Sequence, residues 1–197
     1  MSRGTISDAL AGNLYLHQPE EHKGRMMKTA LMAFALLLTS CVGLPENVKP
    51  VDHFNSDKYL GKWYEIARLD HSFERGLSKV SASYSIRDDG GIRVINRGYD
   101  AQKQRWKEAE GKAYFVNGTD LGYLKVSFFG PFYGAYIVVE LDHVNYQYSM
   151  VSGPDKSYLW ILSRTPRMDH ETQTRLVEKA ASLGFDTSKL IFVAHDE

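Results

Sequence analysis

The sequence YLGKWYEIARL, Tyr59–Leu69, places a glycine two residues before a tryptophan and then runs into an alternating segment. Successive side chains of a β-strand point to opposite faces, so alternation with a period of two is typical of a half-buried strand. We therefore predict a strand over Trp63–Leu69. A second stretch, YLWILSRTP at Tyr158–Pro166, has the same character and is a candidate partner for the first.

Seven strand-like segments follow the first, the last of them in this second stretch. They are separated by turn sequences such as DDGG at Asp88–Gly91, whose residues tolerate positive φ. Short loops favour antiparallel neighbours, and no helical pattern interrupts the strands, which argues against βαβ units. Eight sequential antiparallel strands can remove their exposed edges by closing on themselves. We predict an all-β fold, an eight-stranded antiparallel up-and-down β-barrel with one C-terminal α-helix. The predicted strands are Trp63–Leu69, Val80–Arg87, Ile92–Tyr99, Trp106–Val116, Leu121–Phe128, Ala135–Leu141, Tyr146–Ser152 and Tyr158–Arg164.

The segment after the eighth strand predicts the helix. Pro166 is expected just inside its start, Asp169 is a candidate cap, and Gly184 marks its end. An apolar stripe through the helix comprises Leu176, Val177, Ala180 and Leu183. KLIFVA, Lys189–Ala194, predicts a last short strand.

The N-terminal part of the chain has the pattern of an exported lipoprotein. Residues 26–40 contain a lysine and then an apolar run, Ala30–Leu38, which is typical of a signal peptide and too short for a permanent span. LTSC, ending at Cys41, resembles a lipobox, and this cysteine is the only one in the chain. We expect 41–54 to be a lipidated N-terminus and linker, and 1–25 an upstream extension that is not native or is disordered. A buried helix with an incidental cysteine is the alternative.

Composition and motifs narrow the function. Twenty-four basic residues balance twenty-four acidic ones, so no net charge favours nucleic acid as a partner. The sequence contains no H-E-x-x-H motif, no paired cysteines, no phosphate-binding glycine loop and no nucleophile elbow. We therefore expect no metal, no cofactor and no enzymatic activity. A haem protein would need a histidine inside the barrel, and none lies clearly on an inward strand position.

Three motifs in chain order carry a family resemblance. GKW at Gly61–Trp63 resembles the G-x-W motif of the lipocalins, at the first strand of their eight-stranded barrel. LDHVNY at Leu141–Tyr146 is a loose match to their T-D-Y motif, with Asp142 as the aspartate. ILSRTP supplies Arg164 at the end of strand eight, as in their third motif. Residues 55–197 would then form a lipocalin domain.

The resemblance is closer to the bacterial outer-membrane lipocalins, the branch near apolipoprotein D. It extends from Phe54 to about Val193, together with the lipobox, and includes YLGKWYEIARLDHSFERGL, RDDGG, EGKAYF, KVSFFGPFYG and GPDKSYLWILSRTP. Family geometry implies that Trp63 and Arg164 stack at one end of the barrel, with Gly61 allowing close approach of the backbone. These three residues would be structural, and the opposite end would be the mouth.

Strand alternation predicts four residues on the ligand-binding wall, and the loops at the mouth supply two more. The wall residues are Trp160, Tyr114, Val138 and Met150. Phe132 and Tyr133, in the loop FFGPFYG at Phe128–Gly134, are predicted to contact ligand or a partner subunit. On Ala135–Leu141, one apolar face is expected to carry Ala135, Ile137, Val139 and Leu141, and the other Tyr136 and Val138.

The resemblance implies a protein anchored in the outer membrane by a lipid on Cys41 and facing the periplasm. It would bind one amphiphile, a fatty acid or lysophospholipid, in the barrel for storage or transport in envelope maintenance. A homodimer through the aromatic loop is a further expectation. An eight-stranded barrel can instead be filled by side chains, so a purely structural barrel stays open. A small enzyme or haem-type cofactor binder on the same barrel is the other alternative.

Overall fold

The computed structural model describes residues 42–195. The predicted extension 1–25, the signal segment 26–40 and the lipidation site Cys41 lie outside the described residues. Within 42–195, no helix is long and apolar enough to cross a membrane.

Eight antiparallel strands close into a barrel, as predicted. Each strand pairs with its neighbours in sequence, and the first strand pairs with both the second and the eighth, which closes the sheet. A ninth, two-residue strand pairs with the first strand at Ala67 and Arg68. The strands are β1 Gly61–Arg68, β2 Leu77–Ile86, β3 Ile92–Asp100, β4 Arg105–Phe115, β5 Tyr123–Phe129, β6 Phe132–Leu141, β7 Tyr148–Ser152, β8 Leu159–Ser163 and β9 Ile191–Phe192. The helices are α1 Ser56–Tyr59 and α2 His170–Ser182, with a 3₁₀ turn at Thr187–Lys189.

The two ends of the barrel follow from strand direction. Because neighbouring strands are antiparallel, the connections after β1, β3, β5 and β7 lie at one end, which we call the mouth end. The connections after β2, β4 and β6 lie at the other, together with the start of β1 and the end of β8. We call this the closed end, and α1 precedes β1 there.

Two apolar layers hold the fold together. The inner layer fills the barrel and includes Trp63, Tyr84, Val94, Val138 and Val151. The outer layer lies between the barrel wall and α2, where Leu176 and Ala180 are completely buried. The predicted stripe on α2 therefore packs against the outside of the barrel, since Val177 and Leu183 join the same layer. This second layer explains why several strands are apolar on both faces.

Two local predictions differ from the structure. A β-bulge between Val138 and Glu140 reverses the alternation of β6, so Leu141 lies in the inner layer and not with Val139. The helix begins at His170, four residues after Pro166, because the Asp169 carboxylate accepts the Thr172 backbone N–H at 2.8 Å as its N-cap.

Candidate ligand-binding site

Trp63 closes one end of the barrel. Its side chain is fully buried, and its indole Nε1 donates to the Tyr59 carbonyl at 2.8 Å. The Arg164 guanidinium lies over the ring, with Cζ 3.9 Å from the centroid, which confirms the predicted cation–π contact. The tryptophan is therefore held by α1 on one side and by the end of β8 on the other.

Arg164 also ties together three chain segments at this end. It donates to the carbonyls of Lys58, Lys62 and Tyr146 at 2.5, 3.0 and 3.1 Å. Gly61 has φ +90°, and a Cβ there would lie 3.4 Å from the Arg164 Nη1. Glycine is required at this position mainly because other residues rarely adopt this φ.

Three tyrosine hydroxyls form a polar group deep in the barrel. The Tyr136 hydroxyl is 2.8 Å from that of Tyr59 and 2.9 Å from that of Tyr84, and Tyr59 also contacts the Ser149 hydroxyl at 3.2 Å. Burial raises the pKa of Tyr59 to about 12 and raises those of Tyr84 and Tyr136 well above the usual value. The hydroxyls are therefore neutral and satisfy one another in the core.

The space beside these tyrosines is small. About 10 Å³ is open to the centre of a water-sized sphere, which is room for about one water molecule. The void is lined by Phe54, Tyr59, Tyr84, Ile92, Val94, Ala113, Leu124, Val126 and Tyr136. Its lining is apolar apart from the tyrosine hydroxyls.

A buried charged cluster occupies the mouth half of the barrel. Arg68 donates to the Glu65 carboxylate at 2.6 Å and to the Glu74 carbonyl at 3.0 Å, and its side chain is almost completely buried. The Glu74 carboxylate accepts the Trp160 indole N–H at 3.0 Å. Both carboxylates are also buried, at 3% and 6% exposure. One guanidinium thus pairs with the Glu65 carboxylate and acts on the Glu74 carboxyl through its charge alone, in a site shielded from water.

This environment shifts the acids away from their usual ionisation range. Burial, reinforced by the nearby Glu74 carboxyl and opposed by Arg68, raises the pKa of Glu65 to about 8. Burial also raises the pKa of Glu74, although the Trp160 hydrogen bond opposes the shift. The Nε of Arg68 has no hydrogen-bond partner. The cluster is therefore the most polar part of the interior and is incompletely satisfied.

The connection between β1 and β2 covers this cluster. His71 packs in it against the rings of Tyr158 and Trp160, at centroid distances of 4.7 and 4.8 Å. Burial lowers the pKa of His71 to about 4, so the imidazole is neutral near pH 7. Across the described part of the chain, no group of three His, Cys, Asp or Glu residues could hold a metal ion.

Two of the four predicted wall residues lie on the inner face. Val138 belongs to the inner layer and Trp160 packs against it. Met150 lies instead in the outer layer, because β7 directs Ser149 and Val151 inward. The prediction that Met150 lines the interior is therefore wrong as to its face.

The predicted position of Tyr114 is wrong for the same reason. Ala113 and Phe115 belong to the inner layer or pack on it, so Tyr114 points outward and donates to Asp89 at 2.8 Å. Tyr133 lies beside it on the outer surface, with ring centroids 6.3 Å apart. Phe132 lies at the mouth end and is 70% exposed.

Sequence reasoning missed the charged cluster, although part of it had a signal. Glu65 is two residues after Trp63, and the period of two places both on the inner face. Arg68 would alternate to the outer face, but the register of β1 shifts between Glu65 and Ala67, which turns it inward. No local sequence pattern predicts such a register shift. Glu74 comes from a connection, where periodicity carries no information.

Comparisons with known proteins agree with this architecture. Residues 54–195 match the family model described as a lipocalin-like domain. The chain is 61% identical over 163 residues to outer membrane lipoprotein Blc of Vibrio cholerae, covering 83% of this chain and 95% of the relative. It is 50% identical to outer membrane lipoprotein Blc of Escherichia coli (85% and 94% covered) and 35% identical to bovine apolipoprotein D (71% and 76% covered).

A solved structure extends the comparison to the fold. Insecticyanin of the tobacco hornworm Manduca sexta superposes with a TM-score of 0.62 at 23% identity, covering 79% of this chain and 88% of insecticyanin. At that identity the likeness shows the fold alone. The family model and the relatives above carry the assignment further, and this chain belongs to the lipocalin family.

Proposed function

We propose that the chain is an outer-membrane lipocalin, anchored by a lipid on Cys41 and facing the periplasm, that binds one monoacyl amphiphile in its barrel. The ligand is a fatty acid or a lysophospholipid, held for storage or transport in envelope maintenance. The names of the Vibrio and Escherichia relatives, outer membrane lipoproteins, support the location. The ligand class is supported by the barrel's interior.

The distribution of polarity inside the barrel is the observation that carries this proposal. The closed half is lined by apolar side chains, with the tyrosine hydroxyls bonded to one another. The mouth half holds the cluster of Glu65, Arg68 and Glu74. An amphiphile has the same polarity, so its tail suits the closed half and its head group the mouth half.

Binding requires inner side chains to move. The void at the closed half is far smaller than the roughly 300–1,000 Å³ of usual ligand pockets. Trp160 and Phe128 pack on the inner layer without being part of its fully buried set. Displacement of the connection between β1 and β2, which is held by the hydrogen bond from Trp160 to Glu74, would open a path to them.

The same void supports a second candidate, a barrel filled by side chains with a structural role. An interior that holds about one water is what that candidate requires. The carrier and the filled barrel differ in whether the mouth half can open at a moderate cost in free energy. The proposed carrier is a binding protein and needs no enzymatic step.

Displacement of a fluorescent fatty acid by lysophospholipid tests the proposal. Trp160→Glu should weaken binding at least about tenfold, because it places a charge on the inner wall. Trp106→Glu is the matched control, since Trp106 lies on the outer surface and is 46% exposed. Micromolar binding that only the first variant weakens supports the carrier. A folded protein that binds no amphiphile, and retains none in native mass spectrometry, would favour the filled barrel.

A further inference from the structure

Four hydroxyl groups form a hydrogen-bonded row in the closed half of the barrel, which we call the hydroxyl network: Tyr84, Tyr136, Tyr59 and Ser149. Consecutive members are joined at 2.9, 2.8 and 3.2 Å. Burial raises the pKa of each tyrosine above its usual value, so the three phenols keep their protons near neutral pH. The network therefore has four protons to donate.

The hydroxyl network has one proton more than it has hydrogen bonds. Each bond uses one proton, and each hydroxyl carries only one. Three bonds among four hydroxyls therefore leave one proton unused. Among residues 42–195, the structure shows no further hydrogen bond made by these four groups. Each oxygen has a partner within the network, but one proton has none.

The unused proton is not fixed to one residue. A hydroxyl both donates and accepts, so the direction of each bond in the network can reverse. When every bond points toward Ser149, the serine proton is unused, and when every bond points toward Tyr84, the proton of that tyrosine is unused. Tyr59, Tyr84 and Tyr136 all line the small void beside the network. The unused proton can therefore be directed toward a group that enters this space.

The surplus proton selects a ligand atom that accepts a hydrogen bond and donates none. A buried donor without an acceptor is destabilising. A ligand hydroxyl would accept the proton but would bring another, and a water molecule would bring two. A carbonyl oxygen accepts and brings no proton, so it satisfies the network completely.

We propose that the closed half of the barrel binds an acyl chain that carries a carbonyl oxygen part-way along its length, as in an oxo fatty acid. This inference rests on the proposed carrier function and specifies the tail of its ligand. A carboxylate also accepts without donating, but burying its charge against the otherwise apolar lining of the void is costly. The guanidinium of Arg68 in the mouth half is a better neighbour for a charged head group.

The geometry of β1 sets the position of the carbonyl along the acyl chain. Tyr84 pairs with Gly61 on this strand, and Glu65 of the charged cluster lies four residues nearer the mouth. At the usual rise of a strand, that separation is about 13 Å. A ligand whose head group lies at the charged cluster would therefore meet the hydroxyl network with the middle of its tail.

Displacement of a fluorescent fatty acid by stearate, mid-chain oxostearate and mid-chain hydroxystearate tests this inference. The two oxygenated acids have the same length and place their oxygen at the same carbon. We expect oxostearate to bind at least about tenfold tighter than hydroxystearate, because only the carbonyl takes up the surplus proton. A quadruple variant, Tyr59→Phe, Tyr84→Phe, Tyr136→Phe and Ser149→Ala, should bring this ratio close to one. It should fold, because removing hydrogen-bond partners together leaves no buried hydroxyl of the network behind.

Tyr114→Phe is the matched control, since it removes a phenol that donates to Asp89 on the outer surface, and it should keep the ratio of the parent protein. Lysophosphatidylcholine, whose carbonyl lies beside its head group, is the control for position. The quadruple variant should change its affinity no more than that of stearate, and a selective loss would overturn the mid-chain placement.

The ratio in the parent protein needs no variant, so it decides the question even if the quadruple variant does not fold. Equal binding of oxostearate and hydroxystearate would overturn the inference. So would a preference for oxostearate that persists in the quadruple variant. In both cases micromolar binding of stearate would leave the carrier proposal standing, whereas a protein that binds none of these ligands would overturn both.

Discussion

The closed end and the mouth half of this barrel use arginine in opposite ways. Arg164 at the closed end keeps a partly exposed guanidinium over Trp63 and donates to backbone carbonyls, with no carboxylate among its partners that the structure shows. Arg68 in the mouth half is buried with two carboxyl groups and leaves its Nε without a partner. The first arrangement is satisfied and rigid, and the second retains uncompensated polarity.

This difference separates stability from function within one sheet. Aromatic packing and hydrogen bonds to carbonyls at the closed end cost little desolvation. Burying two carboxyl groups costs free energy of desolvation, and removing the cation that pairs with them costs more. Such a cluster is a weak way to stabilise a barrel, which fits a region that opens in the proposed carrier. The predictions below test the contrast in order of expected effect.

Trp63→Ala should have the largest effect on stability. Removing a fully buried indole leaves a cavity and costs about 3–5 kcal/mol of unfolding free energy. Urea denaturation measures it. Trp106→Ala, at a tryptophan that is 46% exposed, should cost less than about 1 kcal/mol. Similar losses in the two variants would contradict the role assigned to the closed end.

Arg68→Met should be the next most destabilising change. It leaves Glu65 and Glu74 buried without a cation, at a cost of about 3 kcal/mol above pH 8, where both carboxyls are ionised. The cost should be smaller at neutral pH, where Glu65 holds a proton. Arg93→Met is the control, because its partner Glu110 is about half exposed and the pair is in solvent. A loss that is the same at both pH values would show that the carboxyls do not ionise in the native state.

The pH dependence of stability should reveal Glu65 directly. Its pKa is raised from about 4.5 to about 8 on folding, so the native state keeps a proton that the unfolded state loses between those values. Unfolding free energy should therefore fall as pH rises through this window, by at most about 1.4 kcal/mol per pH unit. Glu65→Gln should flatten the profile, whereas Glu110→Gln should not. An unchanged slope in Glu65→Gln would mean that Arg68 keeps the carboxylate ionised.

Arg164→Lys should have the smallest effect of the four. Lysine keeps the charge but cannot reach three carbonyls and cover the indole at once, so we expect a loss of about 1 kcal/mol. Thermal unfolding measures it, with Arg87→Lys in an exposed hairpin at the same end as the control. Full retention of stability would show that the charge alone is sufficient.

Much of the fold was predictable from local patterns. The eight strands, their order and the stripe on α2 follow from periodicity and turn residues, because those signals repeat along the chain. The closed end was predictable for another reason, namely that Gly61, Trp63 and Arg164 occur in motifs with a family resemblance. The candidate ligand-binding site was harder to predict. Tyr114 and Met150 were assigned to the wrong face, since alternation indicates two faces without saying which one is inside.

The sequence alone was sufficient for the barrel and its closed end, because strand periodicity and short motifs are local properties. The tertiary structure decided which face is inner. It also decided where bulges in β1 and β6 reverse it, and which residues of the β1–β2 connection enter the barrel. A bulge depends on pairing with neighbouring strands, and a buried connection depends on what lies beneath it. Arg68 and Glu74 lie together for these reasons, and the local sequence around either residue could not have predicted their contact.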